Sequence, residues 1–326
     1  MPRLITVTSG SDGVGRTSFV LNAGITLARM DFKVLLVDAD MGISNLDLMM
    51  GIMPIKTLED VITGDTGPEN IIIKTRYKID LIPASSGLRV IDVPDEDRIT
   101  RISNDLENLT SKYDFIIADA PSGVSGRTLD FLSGAPDIII GINNDEKSLT
   151  GAYALIKEIR SEGAIPRFSM FSSMIKDYSA GHLLFRKLSL VSQRFVNTHI
   201  NYIGPVVLDD ISIHAAGEQI PLIVKYPTSD TARCYRMITS TILSQKAIES
   251  KTDKFFSRLI RLTAIDSNPV PIREISFDDK LVNHGLERTM DAILDEQKRT
   301  RLLLERLVEM IDITGANGRP DKTAEM

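Results

Sequence analysis

Short apolar runs recur along the chain up to about residue 245, and longer amphipathic segments separate them. Because both faces of such a run are apolar, each run suits a strand that is buried on both sides of a sheet. The segments between the runs are long enough for crossover helices, so the alternation predicts a doubly wound α/β fold with a mostly parallel sheet. The predicted strands are 4–9, 33–40, 79–85, 114–120, 137–143, 167–175 and 203–209, and the predicted helices include 17–30, 100–111, 149–161 and 228–245.

The composition narrows the classes of function. With 326 residues, of which 43% are hydrophobic and 25% charged, the chain can form one large domain plus an appendage. A net charge of -6 argues against a nucleic-acid partner. The single cysteine, Cys234, excludes an internal disulfide and is expected to be a small buried residue. No apolar run reaches the roughly 18 to 20 residues of a membrane span, and no signal peptide is visible, so a cytoplasmic location is expected.

A glycine-rich segment, TSGSDGVGRTS (8–18), follows the first predicted strand. In a phosphate-binding loop, glycines let backbone N–H groups surround phosphate oxygens at a helix N-terminus, and a Ser or Thr ligates magnesium. The glycines Gly10, Gly13 and Gly15, followed by Thr17, fit that pattern, although Arg16 stands where the motif has a lysine. Glycine-rich turns are common, so this segment alone leaves a plain strand-to-helix turn as an alternative.

Three acidic residues follow or end predicted strands. Asp38 and Asp40 belong to VDAD, and Asp119 belongs to FIIADA. Carboxylates at the carboxyl ends of adjacent parallel strands, beside a phosphate-binding loop, are where magnesium and an attacking water are held. Taken singly, each of these residues could instead be a helix cap.

With these segments, the chain resembles the MinD/ParA family of deviant-Walker P-loop ATPases, and within it the FlhG or FleN regulators of flagellar number. The resemblance extends from about residue 3 to residue 245. It implies a MinD-like P-loop NTPase fold, ATP and magnesium as cofactors, and ATP hydrolysis. It also implies a homodimer, peripheral contact with the inner face of the membrane, and a protein partner in a polar or envelope assembly. Its motifs, in chain order, are 8–18, VLLVDADMGISNLDLMMG, TLEDVITG, LIPASSG, YDFIIADAPSG, SLTGAYALIK and PLIVKYPTSDTAR.

The resemblance implies a role for individual residues. Asp40, Asp38 and Arg16 would act in hydrolysis. Magnesium would be held by Thr17, Asp40 and Asp119. The nucleotide would contact Gly10, Ser11, Asp12, Gly13, Val14, Gly15, Arg16, Thr17, Ser18, Ser173 and Val207.

The departures from the family cluster around the nucleotide. Ser11 replaces a signature lysine that reaches across the dimer, and Arg16 replaces the Walker lysine. An arginine keeps the charge, but its planar fork is bulkier than an ammonium group. Asp12 stands where the family has glycine and would repel a triphosphate. On the base side, Ser172 or Ser173 replaces an asparagine, and Val207 replaces a proline.

Three interpretations of the function stay open at this point. The first is a pseudo-ATPase that keeps the fold as a protein-binding scaffold, and it is favoured because the losses fall on the ligand side of the site. The second is an active ATP-dependent dimeric membrane switch that uses Arg16 in place of the lysine. The third is an amphipathic membrane adaptor or interaction protein. Whether the chain is an ATPase is therefore undecided by its sequence.

The segment after the α/β region has a different pattern. KFFSRLIRL (254–262) places apolar residues on one helical face and basic residues opposite, as in a helix that lies in a membrane surface. A helix that packs back on the domain is the alternative. The predicted divisions are an α/β domain (1–248), an amphipathic segment with a Pro-containing linker (249–278), a charged coiled-coil-like helix (279–313) and a disordered tail (314–326). The predicted membrane-binding residues are Phe255, Phe256, Arg258, Leu259, Ile260 and Arg261.

Overall fold

The computed structural model describes residues 1–40, 46–83, 91–209, 211, 218–248 and 253–264. All of them lie in the first of the two units into which the chain divides, Met1–Arg273 and Glu274–Met326. The predicted helix 279–313 and tail 314–326 lie outside the described residues. Eight strands are present: β1 (Arg3–Ser9), β2 (Val34–Asp38), β3 (Ile73–Lys74), β4 (Ile79–Ile82), β5 (Phe115–Asp119), β6 (Asp137–Ile142), β7 (Arg167–Ile175) and β8 (Ile200–Val207).

Ten α-helices accompany these strands in the described part of the chain. They are α1 (Arg16–Ala28), α2 (Leu46–Met50), α3 (Leu58–Thr63), α4 (Glu96–Thr110), α5 (Gly126–Ser133), α6 (Glu146–Ser161), α7 (Tyr178–Val196), α8 (Leu222–Lys225), α9 (Asp230–Ser244) and α10 (Asp253–Thr263). None of them combines the length and apolar character that a helix crossing a membrane requires.

The strands form one sheet in the order β3-β4-β2-β5-β1-β6-β7-β8. All neighbouring pairs are parallel except β3 with β4. The doubly wound, mostly parallel α/β fold is therefore confirmed. The strand order reverses at β1, which pairs with β5 on one side and β6 on the other. In such sheets a ligand binds at the carboxyl ends of the strands beside this reversal, so the fold places a candidate site where β1 ends.

Apolar side chains on both faces of the sheet make the core. Every residue of β1, β2, β5 and β6 is buried, which is why these runs are mostly apolar and carry their charged residues only at the strand ends. On one face, the rings of Phe19 from α1 and Phe171 from β7 stack with centroids 4.1 Å apart. This stacking joins the first turn of α1 to the sheet directly behind the glycine-rich loop, which we define as residues 10–15.

The structure corrects the predicted membrane role of 254–262. Helix α10 packs against α3, α4 and α5, and four of its five large apolar residues, Phe255, Phe256, Leu259 and Ile260, are fully buried. The rings of Phe255 and Phe131 lie 5.2 Å apart. A helix on the surface of a domain and a helix on a membrane share the same amphipathic pattern, so the pattern alone could not distinguish them.

The two arginines of α10 also bind the domain. Arg258 donates to the backbone carbonyl of Asp130 and to the Ser133 hydroxyl, and Arg261 pairs with Glu96 at 2.7 Å. Both predicted membrane-facing charges are therefore directed to α4 and α5. The helix belongs to the α/β domain, beyond the boundary predicted at residue 248.

A buried ion-pair cluster lies at the amino ends of β1, β6 and β7, on the opposite side of the sheet from the glycine-rich loop. Arg3 pairs with Asp137 at 3.0 Å, and Arg167 pairs with the same carboxylate. The two arginines also donate to backbone carbonyls at the end of α9, those of Ile242 and Lys246. This cluster fixes the end of α9 to the sheet, far along β1 from the glycine-rich loop.

Candidate nucleotide site

The glycine-rich loop connects the last residue of β1 to the first residue of α1. Gly13 and Gly15 have φ angles of 75° and 80°, in the left-handed region that favours glycine. Gly15 is the N-cap of α1, and within the described residues no side-chain hydrogen bond caps the start of that helix. The loop therefore keeps the backbone conformation and the free helix N-terminus that suit a phosphate group.

Close backbone contact holds the loop in place. A Cβ atom on Gly10 would lie 2.1 Å from the amide nitrogen of Ala152, and one on Gly151 would lie 2.3 Å from the carbonyl oxygen of Gly10. The loop thus rests directly on α6, and both glycines are required for that approach. Val14 is buried as a second anchor, packed toward Gly141 of β6.

The side chain of Arg16 points to the acidic residues of the site. Its Nε lies 2.7 Å from Oδ1 of Asp119, and its Nη2 pairs with Oδ2 of Asp40. Its Nη1 lies 3.4 Å from the Ser9 hydroxyl. Arg16 is 8% exposed, Asp119 1% and Asp40 23%. The structure thus brings three predicted site residues together, and it joins them through the arginine.

The environment of Asp119 depends on this arginine. Burial is the main cause that raises the pKa of Asp119, and nearby Asp40 acts in the same direction. The Arg16 guanidinium and the Thr17 side chain act in the opposite direction. Oδ2 of Asp119 is buried and accepts no hydrogen bond from the part of the chain that the structure describes. The carboxylate therefore lies in a place that penalises its charge, and Arg16 is its ion-pair partner.

Asp38 occupies a different position from Asp40. It is buried, its Oδ1 accepts from the backbone N–H of Asp40 at 3.2 Å, and its Oδ2 accepts from that of Leu46 at 3.3 Å. These bonds organise the turn after β2. A catalytic role for Asp38 stays a prediction, and its oxygens already bind backbone groups.

Two serines that the sequence analysis did not name contribute to the site. Ser122, in the loop after β5, donates to the carboxylate of Asp12 at the tip of the glycine-rich loop. The Ser9 hydroxyl donates to the carbonyl of Ser11 at 2.7 Å. The signals for both were present, since Ser9 directly precedes the glycine-rich loop and Ser122 belongs to the APSG motif. Ser11 and Asp12, the two positions where the loop departs from the family, thus bind Ser9 and the segment after β5 through hydrogen bonds.

On the base side, Ser173 rather than Ser172 lies beside the loop. The Ser172 hydroxyl is 2.7 Å from that of Tyr202, whereas the Ser173 hydroxyl lies 3.4 Å from where a Cβ on Gly15 would be. The Met174 methyl lies at the same distance from that point, and Met174 has a φ of 53°. Sequence reasoning missed Met174. Val207 lies at the same end of the sheet, and its carbonyl accepts from Thr231 at 2.9 Å.

The residues predicted to hold magnesium do not fit the ion in this arrangement. Magnesium needs oxygen ligands at about 2.0–2.1 Å in near-octahedral geometry. One oxygen of Asp40 and one of Asp119 already bind the Arg16 guanidinium, which would repel a second cation between them. Within the described residues, no group of three or more His, Cys, Asp or Glu side chains is arranged to hold a metal. Magnesium could use Asp40 and Asp119 only if Arg16 moved away.

Comparisons with known proteins agree with this fold. Residues 2–163 match the family model described as an AAA domain. The antiactivator FleN of Pseudomonas aeruginosa is 26% identical over 240 residues, which cover 74% of this chain and 86% of FleN. The flagellum site-determining protein YlxH of Helicobacter pylori is 27% identical over 205 residues, covering 63% of this chain and 69% of YlxH.

Among solved structures, the septum site-determining protein MinD of Pyrococcus horikoshii, complexed with Mg-ADP, superposes with a TM-score of 0.60. The match covers 75% of this chain and 97% of that one, at 21% identity, and so it supports the fold. Together, these findings confirm the family that the sequence motifs indicate. The chain belongs to the MinD/ParA family of P-loop ATPases.

Proposed function

We propose that this chain is a spatial or assembly regulator of the MinD and FlhG kind that works as a protein-binding scaffold with little or no ATP turnover. The names of its relatives support the first part, since they describe an antiactivator and a protein that determines the site of a flagellum. The regulated structure would be a cell-envelope assembly such as the flagellum, and the partner would be a protein of that assembly.

The position of Arg16 carries the second part of the proposal. In a working loop of this type, the cation at this position reaches the β- and γ-phosphates. Here its nitrogens bind Asp119 and Asp40 and lie near Ser9. A nucleotide would have to draw Arg16 away from these partners, and so leave the buried carboxylate of Asp119 without its cation.

The cost of that movement sets the expected affinity. Removing one partner from a buried ion pair costs about 3–5 kcal/mol. Because about 1.4 kcal/mol corresponds to a tenfold change in binding, ATP should bind roughly a hundred- to several thousandfold more weakly than to a loop with a free cation. Asp12, exposed at the loop tip, adds repulsion between like charges.

An ATP titration with and without magnesium, followed by a turnover assay, tests this proposal. The wild-type chain should show turnover near background, and the triple variant Ser11→Lys, Asp12→Gly, Arg16→Lys should regain binding. Because the triple variant adds two positive charges, Ser240→Lys with Ser244→Lys is a charge-matched control on the exposed side of α9. Wild-type turnover at the level of an ordinary ATPase, abolished by Asp40→Ala, would contradict the scaffold proposal.

A second candidate function is an active ATP-dependent switch in which Arg16 turns to the phosphates. The positive φ angles of Gly13 and Gly15 and the uncapped start of α1 favour it, since they preserve the backbone part of a phosphate site. The similarly folded Pyrococcus horikoshii protein was solved with Mg-ADP. Such a switch would include a nucleotide-dependent homodimer, so light scattering with and without Mg-ATP separates the two candidates.

The membrane-adaptor interpretation gains no support from the described residues. The apolar face of α10 is buried and its arginines bind α4 and α5, so this helix offers no free apolar face to lipid. Membrane contact through 254–262 is therefore not part of the proposed function.

A further inference from the structure

Two carboxylates meet where β2 and β5 end. Asp119 is the last residue of β5 and is paired in register with Asp38, and Asp40 follows two residues later. Asp119 is almost completely buried. Two neighbouring carboxylates in such a place require a cation, because burial penalises their charges and each penalises the other.

We propose that the Arg16 guanidinium is a resident cation that takes the place of a magnesium ion between Asp40 and Asp119, and that it holds the glycine-rich loop in one state without any ligand. The inference rests on the closed nucleotide site of the proposed function, but it concerns the chain in the absence of nucleotide. It assigns Arg16 a positioning role, whereas the sequence motif would give it a role in binding phosphate.

The geometry of the guanidinium explains why an arginine serves here. Its fork is planar and presents several N–H groups in fixed directions. Nε binds Asp119, Nη2 binds Asp40, and Nη1 lies near Ser9. A lysine has a single nitrogen on a flexible stem, so it would not hold the same three partners in one plane.

Because of the position of Arg16 in the chain, these contacts hold the glycine-rich loop in place. Arg16 begins α1 and Ser9 ends β1, so the two residues flank the glycine-rich loop. Asp40 follows β2 and Asp119 ends β5. One buried side chain therefore connects both ends of the loop to the ends of two further strands, and the loop needs no phosphate to stay in place.

Two consequences follow for the molecule. The conformation of the glycine-rich loop and of the carboxyl ends of β2 and β5 should not depend on nucleotide or magnesium. The same should hold for any partner surface beside them. Conversely, loss of the arginine charge should leave an acidic pair, with one Asp119 oxygen already lacking a hydrogen bond from any described residue. That pair, with the Thr17 hydroxyl nearby, should then bind a divalent cation through oxygen ligands.

The test uses the full chain without nucleotide and compares wild type with Arg16→Gln, which keeps a polar side chain and loses the charge. Mn²⁺ is the probe, measured by the loss of the free-ion electron paramagnetic resonance signal, and thermal unfolding is recorded in EDTA and in Mg²⁺. The wild type should show no Mn²⁺ binding and the same Tm in both solutions. Arg16→Gln should bind Mn²⁺ with a Kd at least about tenfold below the highest Mn²⁺ concentration at which the wild type shows no binding, and its lowered Tm in EDTA should rise in Mg²⁺.

Two further variants separate this effect from general destabilisation. Arg3→Gln removes another buried arginine that pairs with a carboxylate, at the amino end of β1. This variant should lower the Tm equally in EDTA and in Mg²⁺. Adding Asp119→Asn to Arg16→Gln should abolish both Mn²⁺ binding and the rescue by Mg²⁺.

Several outcomes would overturn the inference. Stoichiometric Mn²⁺ binding by the wild type would show that Arg16 does not exclude the metal, and this measurement holds even if Arg16→Gln fails to fold. An unchanged Tm for Arg16→Gln in EDTA, or a lowered Tm that Mg²⁺ does not raise, would also contradict it. Since no nucleotide is present, a failure here is distinguishable from a failure of the proposed function, which the ATP titration decides.

Discussion

Replacing Phe256 by alanine should destabilise the α/β domain strongly, because α10 is part of its core. The Phe256 side chain is fully buried, and the neighbouring Phe255 ring is 5.2 Å away. A buried Phe→Ala substitution costs about 3–5 kcal/mol through lost burial and the cavity that remains. For a domain of this size, about 2–4 °C of Tm are lost per kcal/mol, so a fall of roughly 6–20 °C is expected.

Differential scanning fluorimetry and urea unfolding measure this effect, and an exposed phenylalanine provides the control. Phe195 at the end of α7 is 54% exposed, so Phe195→Ala should change the stability by about 0.5 kcal/mol or less. Wild-type protein should also remain in the supernatant with anionic vesicles. If Phe256→Ala unfolds like wild type, and wild type sediments with vesicles while the variant does not, α10 is a membrane helix and its assignment to the core is wrong.

Two more predictions follow from single positions. Gly10→Ala should cost about 1–3 kcal/mol, because its Cβ would lie 2.1 Å from backbone of α6, whereas Gly126→Ala, with open space around it, should be nearly neutral in the same urea titration. Burial raises the pKa of Tyr235 from 10.0 to about 12. The neutral form of Tyr235 is thus favoured in the folded state. The free energy of unfolding should therefore be unaffected by Tyr235 below pH 10 and should fall by about 2–3 kcal/mol in total between about pH 10 and 12. Tyr235→Phe should remove this part of the pH dependence; identical slopes for both proteins would refute the assignment.

The sheet was largely predictable because its strands are buried on both faces. All seven predicted strands are present, with ends that differ by a few residues, since an apolar run marks a buried strand without marking its last hydrogen bond. Strand β3 was missed because it has two residues, lies at the edge and carries the exposed Lys74. Helix α7 was not among the helices named from the sequence, although Asp177 caps it and its buried Leu184, Leu188 and Val191 recur at helical spacing.

The sequence predicted which residues lie together at the site, but it did not predict which of them bind each other. The loop motif and the strand ends identified Arg16, Asp40 and Asp119 from the sequence. A linear motif assigns each residue to a ligand and cannot show that two of them bind each other, because residues 16 and 119 meet only when β1 and β5 pair. Ser122 and Met174 were missed for the same reason, since each approaches the loop from another strand end.

Arg16 and α10 illustrate one physical rule: a partner within the chain competes with an external one at a large advantage. The sequence patterns predict that Phe255 contacts lipid and that Arg16 contacts phosphate. In the folded domain, Phe255 packs against Phe131 and Arg16 pairs with Asp119. An internal contact avoids the loss of translational and rotational freedom that binding a separate molecule requires. A nucleotide could therefore displace Arg16 only if its contacts with the glycine-rich loop and the free start of α1 exceed the ion pairs that it breaks. Binding would then be weak, and a bound nucleotide would leave the Asp119 and Asp40 carboxylates without the Arg16 guanidinium.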